Sequence, residues 1–206
     1  MKTIGVLVSG RGTNLQALVD AVSEGRLDAR IGVVISNRAD AQALERANLA
    51  RIETLTIDHR AFATREAFDS ALASALLERG VSVVCLAGFM RLIGRSLLDA
   101  FPNAILNIHP SLLPSFPGVD AQRQALQHGV KVSGATVHIV TGELDGGPIV
   151  VQASVPVRDD DTVETLSARI LIEEHRIYPE AVKQVLSGRW RLDGRRFLPA
   201  AGYPFD

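Results

Sequence analysis

The sequence predicts an α/β fold: a Rossmann-like, mostly parallel twisted sheet with helices on both faces and an antiparallel strand at the C-terminal end. Three observations carry this reading. Short apolar runs alternate with helix-patterned stretches through the first two thirds of the chain, as parallel strands joined by crossover helices require. The first run, Ile4–Val8, is apolar throughout, as expected for a strand covered on both faces. After about residue 130 the pattern changes. Two strand-like runs then lie close together, too close for a crossover, so a hairpin and a mixed sheet are expected there.

The elements follow in order. Leu15–Val22 has helical spacing after the first strand, and Ile31–Ile35 is a second apolar run. Ala41–Ala50 reads as a helix and Thr54–Ile57 as a third, weaker strand. Thr64 is placed to cap a long helix over Arg65–Arg79, which Gly80 ends. Val81–Ala87 is the strongest central strand. A short helix near Arg95–Ala100 precedes a strand at Ile105–Ile108. Ala135–Val140 and Ile149–Pro156 form the expected hairpin across the turn-rich Thr141–Pro148. Asp161–Gly188 reads as a long helix, with Asp161 and Glu164 at capping-box spacing and a kink expected at Tyr178-Pro179. Trp190–Leu198 resembles a small hairpin around Asp193-Gly194.

A chain of 206 residues is long enough for a sizeable core, and one domain over 1–206 is the default. Its 47% hydrophobic and 22% charged residues are ordinary for a folded domain. The formal net charge of −1 gives no global pull toward nucleic acid or an anionic membrane, so any anionic ligand needs a local site. The lone Cys85 sits inside an apolar run; it fits a reducing compartment and a packing role. The N-terminal apolar stretch is too short for a signal peptide, and no run is long enough to span a membrane. A cytoplasmic location is therefore expected.

The first strand runs into Ser9-Gly10-Arg11-Gly12-Thr13-Asn14 and then a helix. Glycines allow a sharp turn and close approach to a ligand. A helix start adds N–H donors and a positive dipole end. Thr13 and Gln16 stand at capping-box spacing. Leu15 occupies the place of the third glycine of a dinucleotide fingerprint, and no Gly-Lys-Ser/Thr follows. The segment alone leaves two readings open, a phosphate site and a tight turn without ligand.

Asn107 and His109 stand two apart at the end of a strand, on one face. Ligands of parallel sheets bind beyond the carboxyl ends of the strands. There an amide could donate to an oxyanion and an imidazole could shuttle a proton. The alternative is a buried histidine with a satisfied hydrogen bond beside a loop-capping asparagine. Thr141–Pro148 carries Asp145 ahead of Gly146-Gly147-Pro148. An acid near an imidazole would raise the histidine pKa, although Asp145 could equally belong to a surface turn.

Four segments occur in a telling order: Ser9–Asn14, Leu86-Ala87-Gly88-Phe89-Met90-Arg91, Asn107-Ile108-His109-Pro110-Ser111-Leu112-Leu113-Pro114, and Glu143-Leu144-Asp145-Gly146-Gly147-Pro148. Together they resemble the phosphoribosylglycinamide formyltransferases, folate-dependent enzymes of purine synthesis, over Ile4 to about Pro179. The resemblance implies a formyltransferase fold, with phosphate and nucleotide binding in the N-terminal half and folate binding and catalysis in the C-terminal half. It implies Asn107, His109 and Asp145 as the catalytic trio. It assigns Gly12, Thr13, Asn14 and Glu174 to the phosphorylated substrate, 5-phosphoribosylglycinamide. Arg65, Met90, Arg91, Leu92, Ile93, Asn107, Thr141, Gly142, Glu143, Leu144 and Asp145 would meet the folate. Three residues before Glu174 the family can place a polar side chain such as Gln, where this chain has Leu171.

The implied reaction is amine attack on 10-formyltetrahydrofolate as co-substrate, with Asn107 and a protonated His109 stabilising the oxyanion and Asp145 keeping the imidazole cationic. No metal is expected, since no ligand cluster has the right spacing. Partners are expected to be small molecules, with neither nucleic acid nor membrane; monomer and homodimer both remain open. The rival readings are a formyltetrahydrofolate hydrolase, an RNA-binding methionyl-tRNA formyltransferase, a non-catalytic nucleotide-phosphate-binding module and an NAD(P) oxidoreductase. With the first strand near Lys2, the hydrolase's N-terminal regulatory domain is not expected, and with Asp206 soon after the final hairpin, neither is a C-terminal RNA-binding domain.

Overall fold

The computed structural model describes residues 1–202; the last four positions of the expected 1–206 domain lie outside the described residues. The chain forms two compact units, one from Met1 to Asn107 and one from Ile108 onward.

In the first unit the strands are β1 (Lys2–Val8), β2 (Ala29–Ser36), β3 (Thr54–Thr56), β4 (Val83–Leu86) and the start of β5 (Ile105–His109). They pair in parallel in the order β3-β2-β1-β4-β5. Helices α1 (Thr13–Ser23), α2 (Gln42–Leu49), α3 (Arg65–Leu77) and α4 (Arg95–Ala100) make the crossovers. The strand residues Ile4, Val6, Leu7, Val33, Val34 and Ile105 are fully buried, which explains their unbroken apolar runs. Leu15 and Leu18 of α1 and Leu72 and Leu76 of α3 supply the facing layers. Thr64 caps α3 as expected, accepting from the Ala67 N–H at 3.2 Å.

Two local expectations fail here. Thr13 does not cap α1. Gly12 holds the cap position with φ +73°, no side chain caps the helix, and Thr13 is its first residue. The backbone turns at the glycine before a threonine hydroxyl is needed. A short 3₁₀ turn at His59–Ala61, capped by Asp58, is also added where no element was expected.

In the second unit β6 (Val132–Ile139) and β7 (Ile149–Pro156) pair antiparallel, as the sequence predicts. Strands β8 (Trp190–Asp193) and β9 (Arg196–Pro199) form the expected terminal hairpin, and β9 touches β7 in parallel at Ile149. Helix α6 (Val163–Ser187) packs on β6 and β7 and runs through Pro179 as continuous helix. Its capping box is Thr162 with Thr165, not Asp161 with Glu164. Asp161 instead accepts from the two terminal guanidinium nitrogens of Arg169, at 2.8 and 2.9 Å. Helix α5 (Ala121–Gln127) escaped the sequence reading. It buries only Ala121 and Ala125, too thin an apolar stripe to register as a period.

Candidate active site

At the carboxyl end of β1 the backbone of Gly12 is pressed against α2. A β-carbon there would lie 2.6 Å from that of Ala43, so the left-handed turn needs glycine on two counts. The loop is tied down by the Ala43 N–H on Gly10 O at 3.0 Å and by Arg46 on Arg11 O at 2.8 Å. The result is a rigid cradle opening onto the start of α1, with Asn14 nearly buried in it. Ser9 donates to Asn37 at 2.6 Å and accepts from the Met90 N–H at 2.9 Å. Sequence reasoning missed Asn37 because one polar residue after an apolar run looks like any strand end.

The segment after β4 presents its side chains unevenly. Met90 is 74% and Leu92 60% exposed, whereas Ile93 is 7%. Met90 and Leu92 are thus not core residues, and their exposure suits apolar ligand contact. Arg65, in the first turn of α3, reaches across to donate to Ile93 O at 2.7 Å.

The second unit brings His109 and Asp145 together. His109 ends β5 and is 5% exposed. Its Nε2 lies 2.8 Å from the Phe116 carbonyl oxygen and its Nδ1 3.6 Å from Asp145 Oδ2. Asp145 sits in a left-handed turn, φ +49°. Its Oδ2 accepts the Gly118 N–H at 2.7 Å, and its Oδ1 lies 3.6 Å from His138 Nε2. A β-carbon on Gly147 would run into the Ile139 carbonyl oxygen, so that glycine lets the Asp145 turn close against β6.

Burial pushes the His109 pKa down, and this outweighs the upward pull of the Phe116 carbonyl and Asp145; His138 adds to the downward push. The upward pull expected of Asp145 is present, but burial outweighs it and leaves His109 below the ordinary histidine value. Burial pulls Asp145 upward more than any other single influence. His138, the Gly118 N–H and the charge that His109 takes on at low pH together bring it below the ordinary carboxylate value, so the acid is ionised.

Thr136 and His138 were missed. Both point from β6 in the same direction, two residues apart, in a strand otherwise small or apolar on that side; that alternation was the available signal. Thr136 donates to Ser111 O at 2.6 Å and accepts from the Leu113 N–H at 3.1 Å and Gln152 Nε2 at 2.9 Å. It thereby pins the loop that carries Phe116 and Gly118.

Asn107, half-buried, lies on β5 two positions before His109. Glu174 is buried in α6, so it is no solvated surface acid; its neighbour Glu173 takes the surface pairing with Arg176 at 2.8 Å. Leu171 is half-buried on the same helix. Thr141 to Leu144 line the turn that leads to Asp145, with Leu144 57% exposed. Cys85 is buried in β4. Among the described residues no group of three His, Cys, Asp or Glu could hold a metal ion, and no helix is long and apolar enough to cross a membrane.

This fold and this buried histidine–aspartate pair define a formyl transferase, and the family model described as formyl transferase matches residues 2–182. The chain is 44% identical to the phosphoribosylglycinamide formyltransferase of Escherichia coli, over 98% of this chain and 99% of that one. It is 59% identical to the solved glycinamide ribonucleotide transformylase 1 of Symbiobacterium toebii, with a TM-score of 0.95 over 97% of this chain and 94% of that one. It is also 47% identical, over 92% of its length, to the human trifunctional purine biosynthetic protein adenosine-3, of which it spans 19%. The chain belongs to the phosphoribosylglycinamide formyltransferase family.

Proposed function

We propose that the protein transfers the formyl group of 10-formyltetrahydrofolate to the amine of 5-phosphoribosylglycinamide in de novo purine biosynthesis. The observation that carries this is the buried His109 facing Asp145 at the end of β5, two positions from Asn107. Full-length similarity to a transferase of the same size supports it.

The substrate amine bonds to the formyl carbon, and the carbonyl electron pair moves to oxygen. Asn107 donates to that oxyanion. On collapse the bond from carbon to folate N10 breaks; the amine gives up a proton and N10 receives one. A carbonyl oxygen only accepts, so the resting His109 proton is on Nε2 and the free lone pair is on Nδ1, facing Asp145. A proton taken by Nδ1 makes an ion pair with that carboxylate, which offsets the burial cost of the imidazolium.

In this reading Gly12, Thr13, Asn14 and Glu174 take the phosphorylated substrate. Arg65, Met90, Arg91, Leu92, Ile93, Asn107 and Thr141 to Asp145 meet the folate. The cradle at Gly12 and the exposed Met90 and Leu92 support those assignments. The chain works as one formyltransferase domain, in the cytoplasm. The test is to mix the protein with 10-formyltetrahydrofolate and glycinamide ribonucleotide and follow deformylated folate by absorbance. Turnover should require the nucleotide. Equal turnover without it would identify a hydrolase, and none at all with either mixture would sink the enzymatic reading.

A further inference from the structure

We propose that Asp69 is a positioning residue that fixes the Met90–Gly94 segment in the shape that receives folate. This rests on the reading above that the segment meets the folate. Asp69 lies on α3 one turn after Arg65, and its side chain is fully buried. The neighbouring buried positions on that helix are Phe68, Leu72, Ala73 and Leu76, so a carboxylate is out of keeping with the layer it sits in. A buried carboxylate is costly unless it is paired and hydrogen-bonded.

What it holds is one peptide group. Oδ2 of Asp69 accepts the Gly94 N–H at 2.6 Å, and Arg65 Nη2 donates to Ile93 O at 2.7 Å. The Ile93 carbonyl and the Gly94 N–H belong to the same peptide unit, which is planar. Holding both its polar ends fixes the plane of that unit and hence the direction of the chain on either side. A β-carbon on Gly94 would collide with Oδ2 of Asp69, so the glycine is what lets the carboxylate in. The other end of the segment is held by the Met90 N–H on Ser9 Oγ at 2.9 Å. Between these two anchors Met90 and Leu92 remain exposed, although both are apolar.

The carboxylate is not used for packing alone. Its second oxygen, Oδ1, is buried with no hydrogen-bond partner, a poor arrangement for stability. Burial also raises its pKa, with the Gly94 N–H and Arg65 opposing. A group retained at such a cost is explained by the geometry it imposes on the exposed stretch beside it.

The experiment compares Asp69→Ala and Asp69→Asn with the unmodified protein, measuring KM for each substrate separately, the thermal midpoint and hydrogen exchange at the Gly94 amide. Losing a hydrogen bond to a charged group should raise KM for 10-formyltetrahydrofolate about tenfold in Asp69→Ala. KM for the glycinamide nucleotide should stay unchanged. Asp69→Asn keeps an acceptor oxygen and should restore most of the folate KM. An unchanged folate KM in folded Asp69→Ala, or equal rises in both KM values, would overturn the proposal. If Asp69→Ala does not fold, Gly94→Ala, whose methyl displaces the carboxylate from the same peptide, must show the selective rise or the proposal fails. The Gly94 amide reads the clamp without any turnover. Slow exchange there that Asp69→Ala leaves unchanged removes the clamp, whereas an unmodified protein with no nucleotide-dependent turnover removes only the assigned reaction.

Discussion

The Phe116 carbonyl oxygen lies 2.8 Å from Nε2 of His109 and thereby decides which ring nitrogen carries the proton at rest. The remaining nitrogen faces Asp145. The two ends of one imidazole thus meet different groups: one is anchored to the loop, and the other faces a carboxylate.

His109 should titrate below the ordinary histidine value of 6.5. The unfolded chain takes up this proton near that value and the folded chain only at lower pH. Between the two the unfolded state binds more protons, so this site's contribution to stability is full above 6.5 and declines as pH falls through that window. Removing the Asp145 charge with Asp145→Asn should lower the pKa further, because the carboxylate pulls it up. NMR titration of the ring protons reads both; an upward shift in Asp145→Asn would refute the pairing.

Asn107→Ala should lower turnover by about 10²–10³, as loss of an oxyanion donor does. His109→Ala should lower it by about 10²–10⁴, the usual value of a proton shuttle. Circular dichroism should show the fold retained in both. Near-normal turnover in both variants would remove them from the chemistry.

Thr136→Val should cost about 2–4 kcal/mol in urea unfolding. It leaves the Leu113 N–H and the Ser111 carbonyl without the hydroxyl they share in a buried site. Turnover should fall as well, since Phe116 and Gly118 lose the support beneath their loop. A change within 0.5 kcal/mol, roughly the scatter of surface substitutions, would mean that the hydroxyl is not holding the loop.

Gly12→Ala should raise KM for the phosphorylated substrate and leave KM for folate alone. The left-handed backbone strains any other residue by about 1–2 kcal/mol, and the new methyl meets Ala43. Steady-state kinetics with each substrate varied in turn checks the split.

Most of the architecture was legible because buried parallel strands cannot hide: Ile4–Val8 and Val83–Leu86 are apolar along their length, and the glycine at 80 marks a helix end. Helix α5 was not legible because two alanines make too faint a stripe. The caps of α1 and α6 were misread for a shared reason. Thr13/Gln16 and Asp161/Glu164 have the right spacing, but spacing does not say where the backbone turns. At the candidate site, the motifs around His109 and Asp145 pointed to two residues that the fold does bring together. Whether the imidazole would be charged depended on how deeply it is buried, which adjacent residues do not encode. Thr136, His138 and Phe116 act through contacts made 7 to 25 positions away along the chain, and such partners come together only on folding.

The stretch from Ser111 to Gly118 carries a last implication. Through one carbonyl and one amide it holds His109 and Asp145 together. Sequence drift there would retune both partners in a single step, leaving His109 and Asp145 themselves untouched. Laboratory evolution aimed at shifting the working pH of this enzyme therefore has its most economical target in that octapeptide.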